Sequence, residues 1–290
     1  HVYYFYYIIY HMTSIHVDNL TFKYDDNVIF KDLTLEICAN NCYVLAGLNG
    51  CGKSTLLKVI GGKTLADFDR VKVMGKDPFR DTSLNRDLTF VNNHWGTQTV
   101  AYSGYNMPLQ SSLRVKEMMQ AIKLEYPERN SELIDILDIN PEWRLNSVSE
   151  GQRKRVQLYL TLIKPFQVCL LDEITVNLDL LVKDKFMHYL KKETQERKCC
   201  VIYVTHIFDG LEDWATKLLY MRTDRKIETK DVSEIPSLYK YLLKRFKDEV
   251  TEGVVEEEDG VRAQSSRNAG GFSHGVLCGV LDPFSREDKL

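Results

Sequence analysis

Between positions 14 and 223, apolar runs of strand length alternate with stretches in which apolar residues recur every three or four positions. Short β-rich pieces come first, at residues 15–17, 19–24 and 33–37. Residues 42–46 form an unbroken apolar run, which predicts a strand buried on both faces. A glycine-rich turn follows, then a helix through Leu56, Leu57 and Ile60. Further strands are predicted at 71–74, 88–91, 168–171 and 200–204, with one more β piece before residue 224, and further helices at 150–163 and 181–196. Strands alternating with helices predict a mainly parallel α/β sheet.

Two stretches depart from this rhythm. From about residue 95 to 146 the chain is polar at first, contains Pro108, Pro127 and Pro141, and then turns helical at 116–124 and 132–137. It reads as a helical insert, placed at about 96–146. Beyond residue 225 the pattern weakens. Leu238, Tyr241, Leu242, Arg245 and Phe246 fit one amphipathic helix. Residues 256–259 are all acidic, and 263–275 are rich in Ser, Gly and Asn, the composition of a disordered tail. The expected organisation is an N-terminal extension or artefact over 1–11, one domain over 12–224, and a C-terminal helix and tail over 225–290.

Composition narrows the function classes. The chain is 44% hydrophobic and 27% charged, as in an ordinary globule, and its formal net charge of -3 gives no bulk attraction to nucleic acid or an acidic membrane. The first ten residues are aromatic and apolar but too few to span a bilayer, which takes about 20, so membrane insertion is not expected. Arg153, Lys154 and Arg155 form the one dense basic cluster. It reads as the solvated face of a helix, with a partner-binding patch as the alternative. Seven cysteines without CxxC pairs or metal-ligand spacing point to a reducing compartment, the cytosol or nucleus.

The chemistry begins at Gly47, Leu48, Asn49, Gly50, Cys51, Gly52, Lys53, Ser54 and Thr55, which follow a predicted buried strand and open a helix. The glycines let successive backbone N–H groups point at phosphates, and the helix start adds partial positive charge. Lys53 supplies an ammonium for the terminal phosphates, and the Ser54 hydroxyl supplies an oxygen for Mg2+. Cys51 lies beside Lys53 and a helix N-terminus, where the thiolate is favoured and the pKa is expected to fall; the alternative is a thiol turned away from solvent. Downstream, an apolar run ends in Asp172 and Glu173. Asp172 suits the Mg2+ and Glu173 the base that polarises the attacking water. ATP and Mg2+ are the expected cofactors.

Further motifs carry a family resemblance. Ser149, Glu150, Gly151 and Gln152 resemble the signature turn of ATP-binding cassette (ABC) ATPases, with Glu150 in place of a glycine. The resemblance implies that Ser149, Gly151 and Gln152 contact ATP held by a second subunit. Asn177, Leu178 and Asp179 resemble the D-loop, with Asp179 crossing the dimer interface, and His206 resembles the switch histidine that touches the γ-phosphate. Tyr24 stands where an adenine-stacking aromatic is found, or else is a surface tyrosine on an edge strand. Where the family has a metal-sensing Gln after a strand, this chain has Asn92, Asn93, His94 and Trp95, and Asn93 is the nearest carboxamide.

The resemblance covers about residues 14–224. It implies a P-loop NTPase fold, with a RecA-like core, an antiparallel β subdomain and a helical subdomain. Within the family the match is to soluble eukaryotic stand-alone proteins, among them a fungal Not-complex-associated protein and plant class-I proteins. Asp172, Glu173, Ile174, Thr175, Val176, Asn177, Leu178 and Asp179 carry it most strongly, with Thr205, His206, Ile207 and Phe208. The implied function is hydrolysis of Mg-ATP at two composite sites of a head-to-tail homodimer, driving an unidentified protein partner in a non-transport process. A transporter ATPase with a separate membrane chain and a low-turnover ATP-gated binding module are the alternatives.

Overall fold

The computed structural model describes residues 13–67, 69–92, 97–99, 106–108, 113–120, 122–176 and 178–258. Asn93, Asn177, residues 1–11 and the tail beyond 258 lie outside these. Strands β1 (Thr13–Tyr24) and β2 (Asn27–Cys38) form a hairpin in which Tyr24 pairs with Asn27. The two β pieces predicted at 15–17 and 19–24 are one strand. Asn19 takes a left-handed φ of 49°, and the register slips between Val17 and Leu20, so a bulge interrupts the alternation that the sequence shows. β2 starts at Asn27, earlier than residue 33, because Asn27, Val28 and Phe30 pair with Tyr24, Lys23 and Phe22 of β1. β4 (Val71–Val73) pairs antiparallel with β1 and completes a three-stranded sheet.

The central sheet has six strands in the order β11-β10-β3-β9-β8-β5. β3 (Asn41–Gly47), β5 (Leu88–Val91), β8 (Val168–Asp172), β9 (Cys200–Val204) and β10 (Lys217–Met221) run parallel. β11 (Ile227–Asp231) adds antiparallel at the edge. Side chains alternate across this sheet. Tyr43 and Leu45 pack on one face with helix α1 (Lys53–Ile60) and the three-stranded sheet. Cys42, Val44 and Ala46 pack on the other, with α5 (Glu150–Leu162) and α6 (Leu180–Arg197). Burial on both faces explains the unbroken apolar runs.

Between β5 and α5 lie the short strands β6 (Thr97–Thr99) and β7 (Asn106–Pro108), which pair with each other. The helices α2 (Val115–Met119), α3 (Ile122–Glu125) and α4 (Pro127–Ile136) follow. The helix predicted at 116–124 is thus two pieces, and the one predicted from 132 starts at Pro127, whose fixed φ suits a first helical turn. Buried Arg129 of α4 anchors this region. It pairs with Glu193 of α6 at 2.6 Å and donates to the Ile163 and Leu162 carbonyls at 3.0 and 2.7 Å, capping the end of α5.

The last helix, α7 (Leu238–Glu258), packs Leu238 and Leu242 into the same core. Its Phe246 ring lies 6.0 Å from that of Tyr220, and the Arg245 guanidinium sits 4.7 Å over Tyr220. The basic cluster on α5 is not a solvated face. Lys154 is only 6% exposed and donates to the Asn92 carbonyl at 2.7 Å. Arg155 pairs with Asp138 at 2.9 Å and also with Asp179, and Arg153 reaches the Leu145 carbonyl at 3.4 Å.

Candidate active site

Parallel neighbours bring the carboxyl ends of β3, β9 and β8 side by side, so the turns leaving them share one edge of the sheet. Gly47 ends β3 against β10. A Cβ at Gly47 would collide with the Met221 carbonyl oxygen and come within 2.8 Å of the Cys51 sulfur. Gly52, at φ 108°, is the N-cap of α1 and provides no side-chain cap. The start of α1 therefore carries no side-chain cap, the arrangement that suits an anion. Asn49, Gly50 and Thr55 stand at the surface or half-buried around this turn.

Lys53 is buried, and its Nζ donates to the carbonyls of Gly47 at 2.8 Å and Leu48 at 3.0 Å. Ser54 Oγ donates to Asp172 Oδ1 at 3.2 Å, joining the loop to the end of β8. Burial pushes the Asp172 carboxyl above its ordinary range, with the Ser54 hydrogen bond opposing and the Glu173 charge adding to the rise. A serine hydroxyl and a carboxylate are hard oxygen donors. They fit Mg2+, which takes one or two protein ligands and completes its shell with water and phosphate oxygens.

Glu173 takes a left-handed φ of 51°, unusual for a non-glycine, and its N–H donates to the Val204 carbonyl at 3.0 Å. That turn sets its carboxylate against His206, with Oε1 2.8 Å from Nε2. Both side chains remain partly open to solvent, at 40% and 45% exposure. The two residues predicted for catalysis are thus in direct contact. An acid-base pair, a buried lysine, a serine hydroxyl and a helix start without a side-chain cap lie on one edge, the groups that phosphate-ester hydrolysis needs.

Cys51 departs from expectation. Its thiol is 7% exposed, and burial pushes its pKa up, outweighing the opposing pull of Lys53. The sequence shows the nearby cation but not the packing of the loop on β10. Tyr24 sits at the hairpin tip, 43% exposed, its ring edge-on to Phe22 at 5.0 Å.

The signature residues Ser149 and Gln152 bond each other. Ser149 is the N-cap of α5, its Oγ accepting the Gln152 N–H at 3.2 Å, while Gln152 Oε1 accepts the Ser149 N–H at 2.9 Å. This reciprocal capping box fixes the turn that contains Gly151. Among the described residues, no hydrogen bond or ion pair joins Ser149 to Lys53, Asp172 or His206. Asp179 caps α6 by accepting the Val182 N–H at 3.0 Å and pairs with Arg155 of α5. Sequence reasoning missed the inward turn of Lys154. Its signal was the helical period, since Lys154 lies four residues before Leu158 and eight before Leu162, both fully buried.

Comparison with known proteins gives these motifs a family. The "ABC transporter" family model matches residues 30–176. ABC transporter I family member 20 of Arabidopsis thaliana is 42% identical over 195 residues, 67% of this chain and 59% of that one. CCR4-associated factor 16 of Saccharomyces cerevisiae is 38% identical over 229 residues, 75% of this chain and 78% of that one. ATP-binding proteins of bacterial importers are also among the relatives. A dimeric ATP-binding cassette solved in a post-hydrolysis state with ADP and Pi shares the fold, with a TM-score of 0.60 at 20% identity over 75% of this chain and 98% of that one. The phosphate loop, the acidic strand end and these likenesses lead to one conclusion: the chain belongs to the ABC ATPase family, whose cassettes bind and hydrolyse ATP.

Proposed function

We propose that two copies of this chain close head to tail around two Mg-ATP molecules, and that the closure drives a partner protein in a non-transport process linked to gene expression, in the cytosol or nucleus. The observation that carries the reading is the convergence of Lys53, Ser54, Asp172, Glu173 and His206 on one edge of the sheet. In this reading the amides of residues 49–54 hold the phosphates, and Lys53 exchanges its loop carbonyls for the terminal phosphate oxygens. Ser54 and Asp172 hold Mg2+, which supplies charge neutralisation at the β- and γ-phosphates. Glu173 accepts the proton of the attacking water, and His206 orients its carboxylate beside the γ-phosphate.

Tyr24 stacks the base, and Asn93 serves as the carboxamide that senses the metal. Ser149, Gly151 and Gln152 of the opposite copy complete each site, with Asp179 at the interface. The non-transport role is supported by the likeness to the yeast CCR4-associated factor 16. Glu173→Gln should lower turnover by about 10²–10⁴-fold while ATP binding persists. Parental turnover in that variant would mean a different base. The importer relatives favour a second reading, an ATPase serving a separate membrane chain. Co-purification of Glu173→Gln with a polytopic membrane protein rather than a soluble one would establish it.

A further inference from the structure

α5 carries Ser149 at its start, and two of its side chains reach the sheet at a single atom. Lys154 Nζ and Gln157 Nε2 both donate to the Asn92 carbonyl oxygen, at 2.7 and 3.0 Å. Asn92 follows the last residue of β5, and Val91 pairs with Leu171 of β8, so this oxygen lies one strand across from Asp172. Lys154 and Gln157 are 6% and 5% exposed. Burial draws the Lys154 pKa down to about 8, and the charges of Asp172 and Glu150 hold it from falling further. An ammonium placed there needs its partner, because an unpaired buried charge costs far more than an unpaired neutral group.

A carbonyl whose two lone pairs are filled from one helix acts as a clamp. α5 cannot slide or turn without breaking a charge-assisted hydrogen bond or dragging the end of β5 with it. At its far end Arg129 fixes the Leu162 and Ile163 carbonyls. We propose that Lys154 is a positioning residue of the composite site: with Gln157 it locks the turn that presents Ser149 to the carboxylate edge of its own sheet, so that occupation of one phosphate site sets where the same chain offers Ser149 to the other. The inference rests on the reading that Ser149 serves the opposite copy. Lys154 acts through α5 and Asn92, not on the nucleotide.

The test uses the full chain. Lys154→Met keeps much of the length but removes the donor, and Lys154→Gln restores a donor without the charge. Three quantities are measured: binding of a fluorescent ATP analogue, steady-state turnover, and hydrogen exchange of the amides of residues 150–155 with and without Mg-ATP. The analogue should bind both variants within about two-fold of the parent. In Lys154→Met, kcat should fall about ten-fold or more with KM unchanged, and Mg-ATP should no longer alter exchange at 150–155. Lys154→Gln should recover most of both. Gln157→Leu, which removes the second donor and buries no charge, should show the same loss in smaller measure, and it replaces Lys154→Met if that variant does not fold. Parental kcat and exchange in the donor-free variants, or nucleotide affinity that falls along with kcat, would overturn the proposal. Sedimentation of the parent separates the two layers, because a parent that stays monomeric with Mg-ATP overturns the composite-site reading itself.

Discussion

Cys51 shows how little distance there is between a reactive and an inert thiol. A cation two residues away and a helix start would favour thiolate, yet the sulfur packs beneath Gly47 and is pushed toward the protonated form. At pH 7 a maleimide should therefore modify Cys51 at least about ten-fold more slowly in the folded chain than in the chain unfolded in urea. Peptide mapping after timed labelling reads this rate, and equal rates in the two states would show that the loop opens freely. The contact of Glu173 with His206 teaches the opposite lesson. Two separate motif residues, 33 positions apart by their numbers, meet at hydrogen-bond distance because their strands are neighbours.

Among the elements, those that are legible in the sequence are the ones whose own composition decides their state. β9 is apolar throughout, and β3 and β8 are apolar but for Asn41 and Asp172 at their ends, so none needs a partner to be recognised. β11, with Glu228, Thr229, Lys230 and Asp231, carries no such signal and is a strand because it pairs residue for residue with β10. The pairing of Arg129 with Glu193, 64 positions apart, is equally invisible before the fold exists. The phosphate loop and the acidic strand end were readable because each packs its chemistry into a few consecutive residues. Lys154 was overlooked because it sits in a run of three basic residues, where composition suggests solvent and only the helical period, in step with Leu158 and Leu162, points inward.

α7 carries a carboxyl whose burial outweighs the help of its neighbours. Glu249 is 9% exposed, and burial raises its pKa against the lowering influence of the Tyr220 hydroxyl, the Thr223 amide, Arg222 and Arg245. The native state therefore binds a proton more tightly than the unfolded chain, whose carboxyl has its ordinary value of 4.5. The stability this provides is complete below that value and is lost as pH rises through the folded one. Glu249→Gln should thus stabilise the protein at pH 7.5 by roughly 0.5–1 kcal/mol, the two arginines screening part of the cost, and flatten the decline above pH 4.5. Urea unfolding at pH 5 and 7.5 measures both effects, and a less stable variant at pH 7.5 would show that the arginine pairing prevails.

For the whole molecule, the proposal that Ser149 completes the site of the opposite copy makes assembly testable by mixing two damaged chains. Ser149 caps α5, so its replacement must keep the cap. Ser149→Asp does so, while setting a carboxylate where the terminal phosphate is expected. Lys53→Ala and Ser149→Asp should each be nearly inactive alone. Mixed, they rebuild one intact site per heterodimer and should exceed the sum of their separate rates. Specific activity should also fall on dilution, as a dimer is lost by mass action. Activity independent of concentration, from a chain that sediments as a monomer with Mg-ATP, would rule out the shared site.

Gly47 opens the phosphate loop, but what excludes a side chain there is the backbone of β10 at Met221 and the sulfur of Cys51, both parts of the sheet's own packing. Selection therefore acts on the residues of this loop through two separate traits. A descendant lineage that gave up nucleotide would be free to let Ser54 drift, since it is exposed and its partner there is a half-buried carboxylate. Gly47 would persist in it all the same, held by foldability after the catalytic reason had gone, so that in a decayed relative the surviving first glycine would testify to ancestry and not to activity.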